Sequence, residues 1–308
     1  MPFFSVIIPT YNRAILLQEA LKSVFAQEYR DFEVLVVDDG SIDETEEKVR
    51  QFDSAIQFLR QQNRGPGAAR NLGIQSARGA YVTFLDSDDL WFPWTLATFA
   101  RIIQMEKEPS WIMGRSTKFV LPNDLTAVRQ MGLKYTAYPD YFASSRNETW
   151  VPGCGVAIRR DILQEVGGFT DRWVNGEDSD LWLRLGVARK FIHLQAPNTL
   201  AYRCHPNTAV ANTQRTLEGM QHLINQEKSG RYPGGPVRCL ERLRILTRHT
   251  RPGSQEVGRA GRVRNAWEIY RDSFAWNARL GRCKYLVGFG LKLVSDLAGR
   301  SAAGKMTE

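Results

Sequence analysis

The sequence predicts an α/β fold: a mainly parallel sheet flanked by helices, followed by a helical C-terminal extension. Three observations predict it. Short β-branched runs alternate with helical spacing over the first hundred residues, the rhythm of βαβ units. Three of those runs end in polar clusters, as open sheets do at the carboxyl ends of their strands. From about Ala211 helical patterns dominate and basic residues accumulate.

Ser5–Pro9 (Ser-Val-Ile-Ile-Pro) suits a buried parallel strand, ended by Thr10-Tyr11-Asn12-Arg13. Ala14–Gln27 places Leu16, Leu17, Ala20, Leu21, Val24 and Phe25 at helical spacing. Phe32–Val37 is a second strand, stopped by Asp38-Asp39-Gly40-Ser41. Ser41 with Glu44 three residues on is a capping-box pattern, which predicts a helix start there. Ile56–Arg60 reads as a third strand, Gly65-Pro66-Gly67 as a loop, Ala68–Ala77 as a helix and Tyr81–Leu85 as a fourth strand. A helix follows over Trp94–Met105, then a strand near Trp111–Phe119. Val151–Ile158 reads as a loop and strand, with a helix from Asp161. Leu181–Val187 is helical, and Phe191–Leu194 and Leu200–Tyr202 are short strands. Breaks at Gly230–Pro236 and Arg251–Gly253 divide the C-terminal helices.

The 308 residues are 43% apolar and 24% charged, an ordinary globular composition. Four widely spaced cysteines give neither a zinc ribbon nor a disulfide framework, so a reducing cytoplasm is the expected setting. The N-terminus shows no signal peptide, and no run of eighteen apolar residues predicts a spanning helix. Residues 1–230 carry 25 Lys/Arg against 27 Asp/Glu, whereas residues 231–308 carry 16 against 6. Such a basic block fits nucleic acid or an anionic membrane surface. No base-reading module is present, so nucleic acid is not expected. Arg238, Arg242, Arg259, Arg262, Arg264, Arg271, Arg279, Arg282, Lys284 and Lys292 are interleaved with Trp267, Tyr270, Phe274, Trp276, Tyr285 and Phe289. That is an interfacial pattern, and it adds a peripheral place on the inner face of the membrane to the cytoplasmic expectation. A solvated appendage with its aromatics packed inward is the alternative.

The chemistry concentrates in Tyr81–Asp89, where an apolar run ends in three carboxylates within four positions. Such charges are not buried unless cations sit among them. Asp86 and Asp88 are two apart, so at a strand's end they point the same way. Hard oxygen ligands suit Mg²⁺ or Mn²⁺, which keep positions open for a diphosphate. A solvated turn is the plainer alternative. Asp39 is a candidate acceptor for a base or ribose, and either Asp38 or Asp39 can instead cap the next helix. Gly65-x-Gly67-x-x-Arg70 lacks the third glycine of a dinucleotide fingerprint and follows the third strand, which excludes NAD. Arg70 is a candidate nucleotide contact, or else a surface arginine. Glu177-Asp178 lies at a helix N-terminus, where acids oppose the dipole, and where one of them can serve as general base. His205, in Arg203-Cys204-His205-Pro206, is a candidate metal or diphosphate ligand, with a structural role as the alternative.

Together these blocks resemble the family 2 glycosyltransferases, which have the GT-A fold. The resemblance covers about residues 3–206. It rests on Val6-Ile7-Ile8-Pro9-Thr10-Tyr11-Asn12, Val37-Asp38-Asp39-Gly40-Ser41, Gly67-Ala68-Ala69-Arg70-Asn71 and Phe84-Leu85-Asp86-Ser87-Asp88-Asp89. Val166-Gly167-Gly168-Phe169 and Gly176-Glu177-Asp178-x-Asp180-Leu181-Trp182-Leu183-Arg184 complete it. It implies a nucleotide-diphosphate sugar donor, a divalent ion, expected to be Mn²⁺ or Mg²⁺, and inversion at the anomeric carbon; uridine is the preferred base, with thymidine and guanosine as alternatives. By match, Pro9, Thr10 and Tyr11 line the nucleoside pocket with Asn12 following them, and Asp39 contacts the base. Asp86 lies near ribose and diphosphate, and Asp88 binds the metal. Asp178 is the base, with Glu177 beside it toward the acceptor, and Gly153, Cys154 and Gly155 line the sugar and acceptor pocket. Processive members carry a QxxRW motif and membrane helices; Arg203-Cys204-His205-Pro206 stands in that region here, which implies a single addition, and the basic tail fits a glycan or lipid-linked hydroxyl as acceptor. Residues 1–210 would form the catalytic domain and 211–308 the basic helical region. Two other classes are a sugar nucleotidyltransferase, which needs a glycine-rich loop after strand one, and a non-catalytic scaffold, against which Asp86, Asp88 and Asp178 stand.

Overall fold

The computed structural model describes residues 1–52, 55–147, 153–205 and 212–304, with side chains described to residue 293 and at Ser295. Val151 and Pro152 of the expected loop, Pro206, and the junction at 210 and 211 lie outside the described residues. The chain forms two compact units.

The first unit comprises residues 1–141, 149–173 and 177–206. Its strands are β1 (Phe4–Thr10), β2 (Phe32–Asp38), β3 (Ile56–Arg60), β4 (Tyr81–Phe84), β5 (Leu90–Trp91), β6 (Trp111–Met113), β7 (Ser116–Phe119), β8 (Lys134–Tyr138), β9 (Val156–Arg159), β10 (Phe191–Ala196) and β11 (Leu200–Arg203). Eight of them form one sheet in the order β3-β2-β1-β4-β9-β6-β10-β8, and β5-β11-β7 form a second. β1 pairs in parallel with β2 and β4. β9 runs antiparallel between β4 and β6, and β8 runs antiparallel on β10. All seven residues of β1 are buried, which explains its continuous apolar run in place of alternation.

Six α-helices among the described residues belong to this unit: α1 (Ala14–Phe25), α2 (Thr45–Phe52), α3 (Pro66–Ser76), α4 (Thr95–Met105), α5 (Arg160–Glu165) and α6 (Glu177–Arg184). α3 lies hard against β1: a Cβ on Gly73 would sit 2.5 Å from Ile7 Cγ2. That close approach carries Arg70, one turn earlier, to the sheet's carboxyl edge.

Three expectations are corrected here. The strand expected over Trp111–Phe119 is two strands in different sheets. The chain turns at Gly114, where a Cβ would meet Gly155 O and Thr199 Oγ1 at 2.4 Å. α2 starts at Thr45, not at Ser41, because Asp43 accepts from the Thr45 N–H (3.1 Å) while Ser41 Oγ accepts from the Asn12 N–H (2.8 Å). The break expected at Arg251–Gly253 is absent.

That last segment belongs to the second unit, residues 142–148, 174–176 and 207 onward. It contains α7 (Thr213–Lys228), α8 (Cys239–Arg259), α9 (Val263–Arg279) and α10 (Cys283–Gly304). α8 runs through Pro252, with Arg251 Nε donating to Thr247 O (2.8 Å) and Ser254 Oγ to Arg251 O (2.8 Å) beside it. Arg242 forks onto Glu227, both almost fully buried, joining α8 to α7. Tyr270 stacks on Phe289 at 4.5 Å between centroids, joining α9 to α10. Among the described residues no helix is long and apolar enough to cross a membrane.

Candidate functional site

The carboxyl ends of β1, β2 and β4 carry the polar residues, as the sheet's topology requires. After β1, Asn12 adopts φ +51°, a conformation asparagine tolerates. Its Oδ1 accepts from the Ile42 N–H at 2.8 Å, so Asn12 ties the loop after β1 to the loop after β2. Tyr11 stands 44% exposed at this edge, and the buried Thr10 Oγ1 has no hydrogen-bond partner among the described residues.

After β2, Asp38 Oδ1 accepts from the Ser41 N–H (2.9 Å), closing the turn. Asp39 is buried and accepts from Gln61 Nε2 (2.7 Å), Arg64 N–H (2.9 Å) and Gly65 N–H (2.8 Å). Loop 61–65 thus wraps its carboxylate. Gly65 is required there: φ is +91°, and a Cβ would strike the Trp173 ring at 2.5 Å.

β4 ends at Phe84, so strand alternation does not govern the carboxylates beyond it. They lie on a turn closed by Asp89 N–H donating to Asp86 O (3.0 Å), and Asp86 and Asp88 meet different cations. Asp86 Oδ1 accepts from Arg70 (2.6 Å). Asp88 Oδ2 accepts from Arg13 (2.6 Å) and lies 2.8 Å from His205 Nε2. Arg203 Nε donates to Asp88 O (2.8 Å), and its backbone N–H donates to Asp89 Oδ1 (2.8 Å). The cations that burial of this cluster demands are therefore Arg13 on Asp88 and Arg70 on Asp86, whereas the Arg203 guanidinium pairs with Glu19.

Arg70 is 4% exposed and lies 5.2 Å over the Phe169 ring. It is not a surface arginine. Its second nitrogen donates to Glu177 Oε1 (3.0 Å), so one guanidinium bridges the turn after β4 and the start of α6. Next to Glu177, Asp178 Oδ1 accepts from the Ser179 N–H (2.6 Å). Burial, then the neighbouring Glu177 charge, raises the Asp178 carboxyl to about 7. Gly153 packs directly on it: a Cβ there would lie 3.1 Å from Asp178 Oδ2. Gly155, at φ +73°, donates to Phe84 O (3.0 Å) and sits against Leu200. Cys154 is 1% exposed, and its thiol donates to Asp89 Oδ2 (3.2 Å).

Two groupings come into question for a divalent ion. The ligand atoms of Asp86, Asp89 and Cys154 lie within 4.8 Å of one another. Burial pushes both the thiol and Asp89 upward, toward their protonated forms. A soft, protonated sulfur suits a hard cation poorly. Asp88 Oδ2 supplies a hard oxygen of the kind that suits Mn²⁺ or Mg²⁺, and His205 Nε2, an imidazole nitrogen, lies 2.8 Å from it. The Arg13 guanidinium on the same oxygen marks that point as one where positive charge is held.

Pro9, Thr10, Tyr11, Asp39, Arg70, Asp86, Asp88, Gly153, Cys154, Glu177, Asp178 and His205 thus all belong to the first unit's strand-end edge or to segments bonded to it. Sequence reasoning gave no role to Arg13, Asp89 or Arg203. Asp89 was visible as the third carboxylate of its run; the arginines become visible only through topology.

Comparison with known proteins bears on what this edge does. The sequence profile described as glycosyl transferase family 2 matches residues 5–167. Glycosyltransferase AglE of Haloferax volcanii is 32% identical over 216 residues, 67% of either chain. A Campylobacter jejuni protein, GalNAc(5)-diNAcBac-PP-undecaprenol beta-1,3-glucosyltransferase, is 44% identical over 94 residues, 29% of this chain and 30% of that one. The chain spans only 15% of the length of an uncharacterised Rickettsia conorii glycosyltransferase with which it is 50% identical over 90 residues. The fold is shared with S. aureus TarS 1-349, with TM-score 0.66, 21% identity, and 97% of this chain and 87% of that one covered. A TarS 1-349 structure in complex with UDP-GlcNAc matches with TM-score 0.58 and 18% identity, covering 91% and 92% of the two chains.

Proposed function

The chain belongs to glycosyl transferase family 2, and on that premise we propose that it transfers one sugar from a UDP-sugar to an acceptor hydroxyl, inverting the anomeric carbon. The observation that carries this reading is Asp178. It is a carboxyl raised to about 7, at the start of α6, linked through Glu177 and Arg70 to the donor-side Asp86. A general base works best with a pKa near the operating pH. Asp178 takes the proton of the acceptor hydroxyl as that oxygen attacks. Gly153, pressed on its carboxylate, leaves room for an acceptor where a side chain would fill it.

On the donor side, Thr10 Oγ1 has a free valence for the nucleoside and Tyr11 an exposed ring. Asp39, with three donors already on it, has one acceptor direction left for a base N–H. Asp88 and His205 would hold a Mn²⁺ or Mg²⁺ ion, which supplies positive charge against the departing diphosphate. Arg13 shares that duty from the protein side. The TarS complex with UDP-GlcNAc supports a UDP donor. The Campylobacter relative's name supports a lipid-linked acceptor of envelope glycan or glycolipid assembly.

Asp88→Ala is expected to abolish the gain in UDP affinity that Mn²⁺ gives, and His205→Ala to lower apparent metal affinity by roughly 10–100-fold. Calorimetry with and without Mn²⁺ measures both. Wild-type metal dependence in the Asp88 variant would refute the metal assignment. A nucleotide-sugar panel read by thermal shift identifies the donor, since a bound ligand stabilises the fold by mass action.

A further inference from the structure

The exposed face of α9 is unusual for a solvated helix. Its buried stripe, Ala266, Ile269, Ser273 and Asn277, faces the unit's interior. Its outer stripe reads Arg264, Trp267, Arg271 and Phe274, spaced three, four and three apart on one side of the helix. Trp267 is 45% and Phe274 46% exposed. Together with Glu268 and Tyr270 they line an open groove of about 650 Å³. The other tail aromatics do not share this exposure: Tyr285 and Phe289 are buried and Tyr270 stacks on Phe289. That buried set fixes the outer one. Trp267 meets Phe289 edge-on at 5.1 Å, and Gly290 leaves it room, since a Cβ there would touch the ring at 3.4 Å. The indole is therefore presented in a set orientation.

Charge says what covers this face. Residues 262–292 hold seven basic and two acidic side chains. Both acids are already matched, Glu268 by Arg264 (3.5 Å) and Asp272 by Lys228 (3.0 Å). Arg271 and Lys284 carry no ion pair among the described residues. α10 adds exposed Val287 and Leu291, three and seven residues beyond Lys284. Unmatched cations beside half-exposed aromatics complement a surface with phosphate charge outside and hydrocarbon beneath. Indole and phenyl rings settle at that boundary, and guanidinium binds phosphate in a fork.

We propose that the outer stripe of α9 is a docking face for an anionic phospholipid bilayer, with Trp267 and Phe274 entering the interface and Arg271 and Lys284 holding headgroup phosphates. The face lies outside the proposed donor and base residues, and its evidence is independent of the transfer reading.

The test is flotation of the full chain with vesicles of phosphatidylcholine alone or with phosphatidylglycerol added, without nucleotide. The wild type is expected to float only with anionic vesicles and to detach as salt is raised. Trp267→Ala/Phe274→Ala should lower partitioning at least tenfold with an unchanged melting curve. Arg271→Gln/Lys284→Gln should lower it about fivefold for each charge removed. Equal flotation on neutral vesicles, or an aromatic double variant that floats like the wild type, overturns the proposal. So does a wild-type dimer that the aromatic variant dissociates, or single-stranded RNA that binds the wild type tighter than vesicles do. UDP calorimetry on the same samples separates the two readings: lost flotation with retained UDP binding removes the docking face alone, and retained flotation without UDP binding removes the donor site alone.

Discussion

Asp178→Asn is expected to lower turnover by on the order of 10²–10⁴ while leaving UDP affinity unchanged. Asparagine keeps the shape and keeps an oxygen for the Ser179 N–H, now 2.6 Å from Asp178 Oδ1, but it cannot take a proton. The pH dependence should be equally distinctive. A base with its carboxyl raised to about 7 is ionised only above that pH, so wild-type kcat/KM should climb through neutrality and level off above it. Stability should run the other way. The folded pKa exceeds that of an ordinary aspartate, so the stabilising contribution of this group is complete below about pH 4. It declines as pH rises through the folded value and is gone above it. Above pH 7 the wild type holds a desolvated charge that the asparagine variant lacks, and the variant should melt at an equal or higher temperature. Steady-state rates from pH 5 to 9, with melting curves at the same pH values, check both arms. Wild-type turnover in the variant would remove Asp178 from the mechanism.

The carboxylates were legible because a buried run cannot end in three charges without relief: Arg13 pairs with Asp88 and Arg70 with Asp86, while Asp89, pushed toward its protonated form by burial, accepts from the Arg203 backbone N–H and the Cys154 thiol. Which arginine meets which aspartate was not legible, since the three come from the loop after β1, from α3 and from β11. Only strand order brings them together. The antiparallel insertion of β9 between β4 and β6 was equally hidden: Val-Ala-Ile-Arg reads the same in either direction. Local chemistry misled where two residues compete for one job. Ser41 has the capping-box spacing, yet Asp43, two residues later, caps α2, and Ser41 serves Asn12. The tail aromatics show the same limit. Composition marked an interfacial region, but helix packing decides that Tyr285 and Phe289 turn inward and that Trp267 and Phe274 stay out.

Arg70→Met should produce the largest loss of stability of any single change at this edge. The guanidinium is nearly buried and holds two carboxylates, Asp86 at 2.6 Å and Glu177 at 3.0 Å, whose side chains are 30% and 14% exposed. Methionine fills much of the volume on the Phe169 ring but leaves both acids without their cation. Breaking a buried pair from one side costs about 3–5 kcal/mol, which for a unit of this size lowers the melting temperature by roughly 6–20 °C. Arg70→Lys should recover only part of this, because an ammonium cannot fork onto two carboxylates. A second readout isolates the electrostatic role. Arg70 lowers the Asp178 carboxyl and Glu177 raises it, so losing the arginine removes the first influence and unmasks the second. The rising limb of the pH–rate profile should then move to higher pH in Arg70→Met, and less so in Arg70→Lys. A purely structural arginine would lower the melting temperature and the amount of active enzyme but leave that limb in place. Calorimetric melting and kcat/KM profiles on both variants distinguish the cases, and a limb fixed near pH 7 would cut the link between Arg70 and the base.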